Sequence, residues 1–246
     1  MRVSWNAPAL LAIVAVTVVH GQPAAADRFE VASVKPSNAD PSSVSGIKTG
    51  HGRLDAHNVT LKRCIIGAYG IGPHQVFGGP DWLDADRFDI LAKADRPVDD
   101  DAALMLMLRQ LLADRFKLAL RRETRTMPAF VLETLKSGPR MQRAEDGESG
   151  TNTASSEVRL FIHAHHTGMD GFARILARQT QAPVVNRTGL EGLFNFQLHW
   201  RREGVSGTDE PSLFTALQEQ LGLRLRAEKT AVEVLVIESV TKPSEN

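Results

Sequence analysis

The 246-residue sequence has one cysteine, Cys64. A lone cysteine closes no internal disulfide, so the fold has no covalent staple. Cys64 keeps helical spacing with Leu61, Ile65 and Ala68 and reads as a buried small hydrophobe, not a reactive thiol. Lys and Arg number 29, as do Asp and Glu, which gives zero formal net charge. That balance supplies no electrostatic footprint for nucleic acid or an anionic membrane. After residue 26 no apolar run approaches the ~20 residues a spanning helix needs. Catalytic motifs are missing as well. There is no Gly-x-Ser-x-Gly elbow and no His-Glu-x-x-His helix. No Lys-Ser/Thr follows Gly78-Gly79-Pro80, and no EF-hand loop is present. No cofactor and no metal site is expected.

What is present starts with a three-part leader. Arg2 gives a positive start, residues 9–19 form an uncharged apolar run, and Ala24-Ala25-Ala26 supplies a small-x-small site before Asp27. This is the pattern of a secretory signal peptide over residues 1–26. The expectation is an exported chain, periplasmic or extracellular, without a stable membrane span after cleavage. No cysteine near the cleavage site suggests a lipid anchor.

An internal repeat dominates the rest. Residues 108–135 align with residues 213–240 at a constant displacement of 105, without a gap. Leu108 meets Leu213, Leu112 meets Leu217, Phe116 meets Leu221, Glu123 meets Glu228 and Glu133 meets Glu238. Upstream, Phe88-Asp89-Ile90 parallels Phe194-Asn195-Phe196, and Arg53-Leu54 parallels Arg159-Leu160, at a displacement of 106. Alternation predicts strands at 28–36, 53–56, 87–94, 158–165 and 193–200. Apolar residues at helical spacing predict helices at 61–69, 102–116 and 169–179. Residues 118–120, a turn at 124–127 and a return at 128–135 read as a hairpin, repeated at the end of the chain. Residues 37–52 read as a loop and 137–156, polar and Gly/Ser/Thr-rich, as a linker.

The expected fold is α+β and a tandem duplication. Each half is a small mixed sheet with two helices packed on one face, in the order strand, helix, strand, strand, helix, hairpin. The expected units are residues 27–136 and 157–246.

Several stretches carry a resemblance. Phe29-Glu-Val-Ala-Ser-Val-Lys-Pro36, Asn58-Val-Thr-Leu61, Ala68-Tyr69-Gly70, Gly78-Gly-Pro-Asp-Trp-Leu83, Asp86-Arg-Phe-Asp89, Leu112-Ala-Asp-Arg-Phe-Lys117, Thr188-Gly-Leu190 and Pro211-Ser-Leu-Phe-Thr-Ala-Leu-Gln218 resemble a large secreted bacterial family. That family is abundant in soil acidobacteria and is catalogued as a domain of unknown function. Some members carry the domain behind a membrane metallopeptidase similar to antibiotic sensors. The resemblance implies an envelope location and no established activity. Members typically have Asp in a Val-Val-Asp-Lys-Thr-Gly pattern where this chain has Asn186-Arg187. The element order of each half is also similar to the short N-terminal domain of secretins and TonB-dependent transducers, which implies an adaptor. Likeness of topology is an analogy for function.

The candidate chemistry is sparse. His163, His165 and His166 cluster, with two on one strand face, but no further zinc ligand comes at suitable spacing. Asp81, Asp84, Asp86 and Asp89 read as turn and ion-pair residues. Gly78 and Gly79 read as a turn with positive φ. Ser156, Ser206 and Ser212 lie in loops without a nucleophile motif. Tyr69, Phe77 and Trp82 form a candidate binding patch around the first predicted helix, and sheet edges offer places for strand addition. The leading expectation is a non-enzymatic envelope adaptor or sensor for a protein or peptide. A second is a hydrolase in which Asp86 or Asp89 meets His163 or His165. A third is a small-molecule module with an apolar pocket between the repeats.

Overall fold

The computed structural model describes residues 28–40, 42–145, 147 and 150–243; the expected leader lies outside them. The chain runs β1 (Phe29–Pro36), β2 (Gly46–Gly50), β3 (Arg53–Thr60), α1 (Leu61–Tyr69), β4 (Val76–Phe77), α2 (Trp82–Ala85), β5 (Arg87–Ala94), α3 (Asp101–Phe116) and β6 (Ala119–Thr134). It continues β7 (Gln142–Ala144), β8 (Gly150–Ser155), β9 (Arg159–Thr167), α4 (Met169–Thr180), β10 (Val184–Asn186), β11 (Leu193–Arg201), α5 (Leu213–Ala216) and β12 (Leu223–Ser239). A π-turn at Leu217–Leu221 extends α5.

Three four-stranded sheets result, ordered β1-β5-β3-β2, β10-β6-β12-β4 and β7-β11-β9-β8. The outer two are antiparallel throughout. In the middle sheet β6 and β12 form a long antiparallel ribbon, flanked by parallel β10 and β4. Leu61, Cys64 and Ile65 of α1 and Leu108, Leu112 and Phe116 of α3 bury their apolar sides on the first sheet. Phe172 and Leu176 of α4 and Leu217 and Leu221 of the π-turn do the same on the third. The ribbon joins the two cores: Leu235 and Ile237 enter the first, and Leu132 and Leu223 the second. Burial pushes the Cys64 thiol up to about 12, in keeping with an inert core residue.

Local chemistry explains where the elements stop. Asn58 adopts φ 50°, its N–H donates to Asp89 Oδ1 at 2.8 Å, and its side-chain amide donates to the carbonyls of Asp40 and Ser43. This bulge breaks the β3–β5 register between Ala56 and Val59 and turns the chain into α1. His166 repeats the device with φ 46° and an N–H donated to Asn195 Oδ1 at 2.9 Å, just before α4. Bulges of this kind redirect a strand and end its pairing. The Thr60 hydroxyl then caps α1 and the Asp100 carboxylate caps α3.

Four expectations are corrected. Residues 124–127 form no turn, because β6 is one 16-residue strand. Pro128 is tolerated there: the Phe130 N–H points to Pro183 O, on the β10 side. Backbone groups two residues apart on a strand point the same way. The N–H that Pro128 lacks would thus face an edge on which β10 pairs only from Phe130 onward. Residues 137–156 hold β7 and β8 instead of a linker, and residues 37–52 hold β2. A mixed sheet confined to each half is replaced by a shared middle sheet, in which β4 pairs with β12 and β10 with β6.

The ribbon carries a charge ladder. Arg121 pairs with Glu123 and Glu238, and Arg226 pairs with Glu228 and Glu133. Hydrogen bonds from Arg226 and then Arg224 hold the Glu133 carboxyl down at about 2. A depressed carboxylate stabilises the fold above its unfolded value, and that contribution is lost as pH falls toward the folded one. Glu133→Gln should therefore lower the urea midpoint at pH 7, and the difference from wild type should fade as pH drops from about 4.5 to about 2. A difference that stays constant with pH would contradict this origin.

Candidate binding site

The expected aromatic trio is divided between two places. Tyr69 and Trp82 pack against the first core, whereas Phe77 joins Ala129, Val232 and Val234 in a separate cluster. Alternation along β4 explains the split: Val76 points into the first core, so its neighbour Phe77 faces the other way. A cation covers each ring. Arg109 lies 4.7 Å from the centroid of Tyr69, Arg125 4.4 Å from Phe77 and Lys242 5.6 Å from Trp82. The three do not make one surface.

Three of the clustered acids are engaged in ion pairs. Asp84 pairs with Lys62, Asp86 with Lys242, and Asp89 with His57 at 2.9 Å. His163 lies on β9 opposite Gln197 and Asn152. Asp86 and Asp89 are thus committed to partners other than His163 or His165. Among the described residues no group of three or more His, Cys, Asp or Glu side chains could hold a metal ion. Gly78 and Gly79 do take positive φ.

The concavity best suited to a ligand lies in the second half. A cavity of about 600 Å³ is lined by Phe130 of β6, Leu160 of β9, Thr180 of α4, Trp200 of β11 and Leu213 and Phe214 of α5. Its size falls within the roughly 300–1,000 Å³ of small-ligand sites. Phe214 is 41 % exposed and meets the Phe130 ring edge-to-face at 5.5 Å. Trp200 is buried behind them. Arg201, Arg202 and Glu203 line the same cavity. Among the described residues neither guanidinium has an ion-pair or hydrogen-bond partner.

The loop sequence keeps the cavity open. Pro211 holds residue 210 extended, and the Ser212 hydroxyl accepts from Thr215 N, so α5 starts only at Leu213. Arg201 N–H donates to Pro211 O at 2.8 Å, which pins the loop to β11. At the corresponding end of the first sheet α3 fills the space among the described residues. There the first two turns of α3 bury Leu104 and Met107 against Ala94, Phe29 and Val98.

Side chains cover one edge strand and the part of β11 that runs past β7. An Arg115 guanidinium donates to Ala32 O on β1, and the Gln220 amide bridges the N–H and C=O of His199 on β11. Strand β8 differs: it is exposed along its length and bears neither charge nor proline.

Sequence reasoning missed the cavity because its walls come from five elements far apart in the chain. One signal was available. Residues 101–107 read Asp-Ala-Ala-Leu-Met-Leu-Met, while residues 206–212, displaced by 105, read Ser-Gly-Thr-Asp-Glu-Pro-Ser. An apolar helical stretch has a polar, Pro-containing counterpart, so something packed in one half is unpacked in the other.

Over residues 62–240 the chain matches the family described as protein of unknown function (DUF3738), and it belongs to that family. The match runs through both halves. No curated protein and no solved structure matches the chain.

Proposed function

We propose that this family member is an exported, non-enzymatic binding module, built by duplication, that takes a protein or peptide segment into the cavity between α4, β11 and α5. One observation carries the reading: positions sealed around the first core have counterparts that stand open around the second. Leu54, Leu108 and Leu235 are each at most 1 % exposed. Their counterparts at displacements of 105 or 106 are Leu160, Leu213 and Phe130, and all three are partly exposed lining residues.

Duplication is supported by the ribbon itself. Thr126 pairs with Ala231, which is also its counterpart at displacement 105. A twofold axis through that pair exchanges β6 with β12 in register. It also exchanges the β10 contact Val184↔Phe130 with the β4 contact Val76↔Leu235. The ion pairs follow: Arg121–Glu123 and Arg121–Glu238 correspond to Arg226–Glu228 and Arg226–Glu133. Export rests on the leader pattern of residues 1–26. No helix among the described residues is long and apolar enough to cross a membrane.

A random-peptide library selected on the folded chain tests the reading. Enrichment of peptides that bind wild type and lose at least about tenfold in affinity on Phe214→Arg is expected, since one buried aromatic contact is worth more than 1.4 kcal/mol. Phe214 is already part-exposed, so the variant should keep the wild-type unfolding midpoint. Peptides indifferent to Phe214→Arg would move the site elsewhere. No enriched peptide, together with a small apolar acid that raises the melting temperature, would favour a small-molecule module.

A further inference from the structure

We infer that the cavity receives a short helix from a partner, carrying two apolar side chains three residues apart and acidic residues at its N-terminal end. This rests on the binding reading above and names the partner's chemistry. The template is the protein's own first half. There the volume beside Ala94 is occupied by the opening turns of α3, whose Leu104 and Met107 are 0 % and 1 % exposed. Residues three apart share one helix face, so both side chains enter together.

The second half keeps the framework around that volume and omits the occupant. Helix α4 stands where α1 stands, β11 where β5 stands, and the counterparts of Leu104 and Met107 are Asp209 and Ser212. Position 94 differs in the sense expected of an incomplete core. Ala94 allows the α3 turn to approach, whereas the larger Trp200 partly fills the space and lines what remains of it. An aromatic-lined groove of this kind takes an amphipathic helix through anchors at i and i+3 or i+4.

Charge gives the orientation. In the first half, Asp99 and Asp100 precede α3, Asp101 opens it, and the Asp100 carboxylate caps it. In the second half Arg201 ends β11 and Arg202 follows it, both without ion-pair partners among the described residues. Glu203 is the one acid beside them in the cavity lining. Acids at a helix N-terminus complement both the helix dipole and these guanidinium groups.

A synthetic peptide of residues 98–110, added to the full chain, is the probe. The readout is Trp200 fluorescence in a Trp5→Phe, Trp82→Phe background. Saturable binding is expected, weakened at least about tenfold by Leu104→Asp or Met107→Asp in the peptide. Met105→Pro in the peptide should abolish it, because proline breaks the helix. Phe214→Arg in the protein should do the same. Arg202→Glu should weaken binding severalfold and flatten its salt dependence. Two failures are distinct. If library peptides bind at Phe214 but lack an i, i+3 apolar pair, and the 98–110 peptide does not bind, the helical inference falls and the site stands. If neither binds, both fall.

Discussion

Phe116→Ala should cost about 3–5 kcal/mol of folding stability, as complete truncation of a buried aromatic does. Phe116 closes α3 at 0 % exposure and stands edge-on to Phe88 at 5.2 Å. The same residue anchors the end of the ribbon, because its carbonyl accepts from Thr241 N at 2.7 Å. Truncation removes ring contacts that link the sheet, the helix and the long hairpin-free ribbon, and nothing small can collapse into the gap between them. Phe116→Leu, which installs the side chain found at the counterpart Leu221, should cost far less, about 1–1.5 kcal/mol. Urea unfolding measures both; the midpoint should fall while the slope is unchanged. Equal costs for Ala and Leu would show that this site is not a packed one.

Gly222→Ala should be nearly as damaging, for a backbone reason. Gly222 joins the π-turn to β12 at φ 66°, a left-handed conformation. Alanine there costs about 1–2 kcal/mol. A Cβ would also lie 2.2 Å from the Gly138 carbonyl oxygen, a contact that only a backbone shift relieves. That shift would strain two hydrogen bonds, Leu135 N to Gly222 O and Arg140 N to Leu221 O. The sum is about 3–4 kcal/mol. The counterpart Lys117 is already left-handed at φ 49°. Lys117→Gly should therefore be neutral or slightly stabilising, and the two variants together separate conformational strain from steric contact.

Much of the fold was legible because its signals are local. The helical spacing of Leu61, Cys64, Ile65 and Ala68 gives α1 with those four residues buried. The alternation Phe88, Ile90, Ala92 gives β5 facing its core. The illegible parts share a different physics. Strand β8 is exposed on both faces, so no apolar alternation marks it. Strands β2 and β7 are short edges of five and three residues, too short for alternation to register. The middle of the ribbon is two-sided in a way that imitates a turn: Thr124 and Thr126 sit in its polar stretch, and Pro128 uses an unpaired edge. Sharing of the middle sheet depends on which long strands pair, and local periodicity carries no such information.

The candidate site was less legible than the fold. Clustering in sequence pointed to Tyr69, Phe77 and Trp82, and alternation then divided them between two faces. The cavity instead depends on a mismatch between two stretches 105 residues apart in the sequence, where helix-forming residues 101–107 align with Gly207 and Pro211 in residues 206–212. Such a difference becomes informative only when the strands and helices around each stretch are in place.

The most direct measurement is amide hydrogen exchange on the full chain, with and without a peptide selected from the library. Protection should rise in residues 200–214 and at the ends of α4 and β9 that line the cavity. Protection confined to β8, residues 150–155, would mean that the partner adds as a strand to an open edge, and would contradict the cavity as the site of recognition.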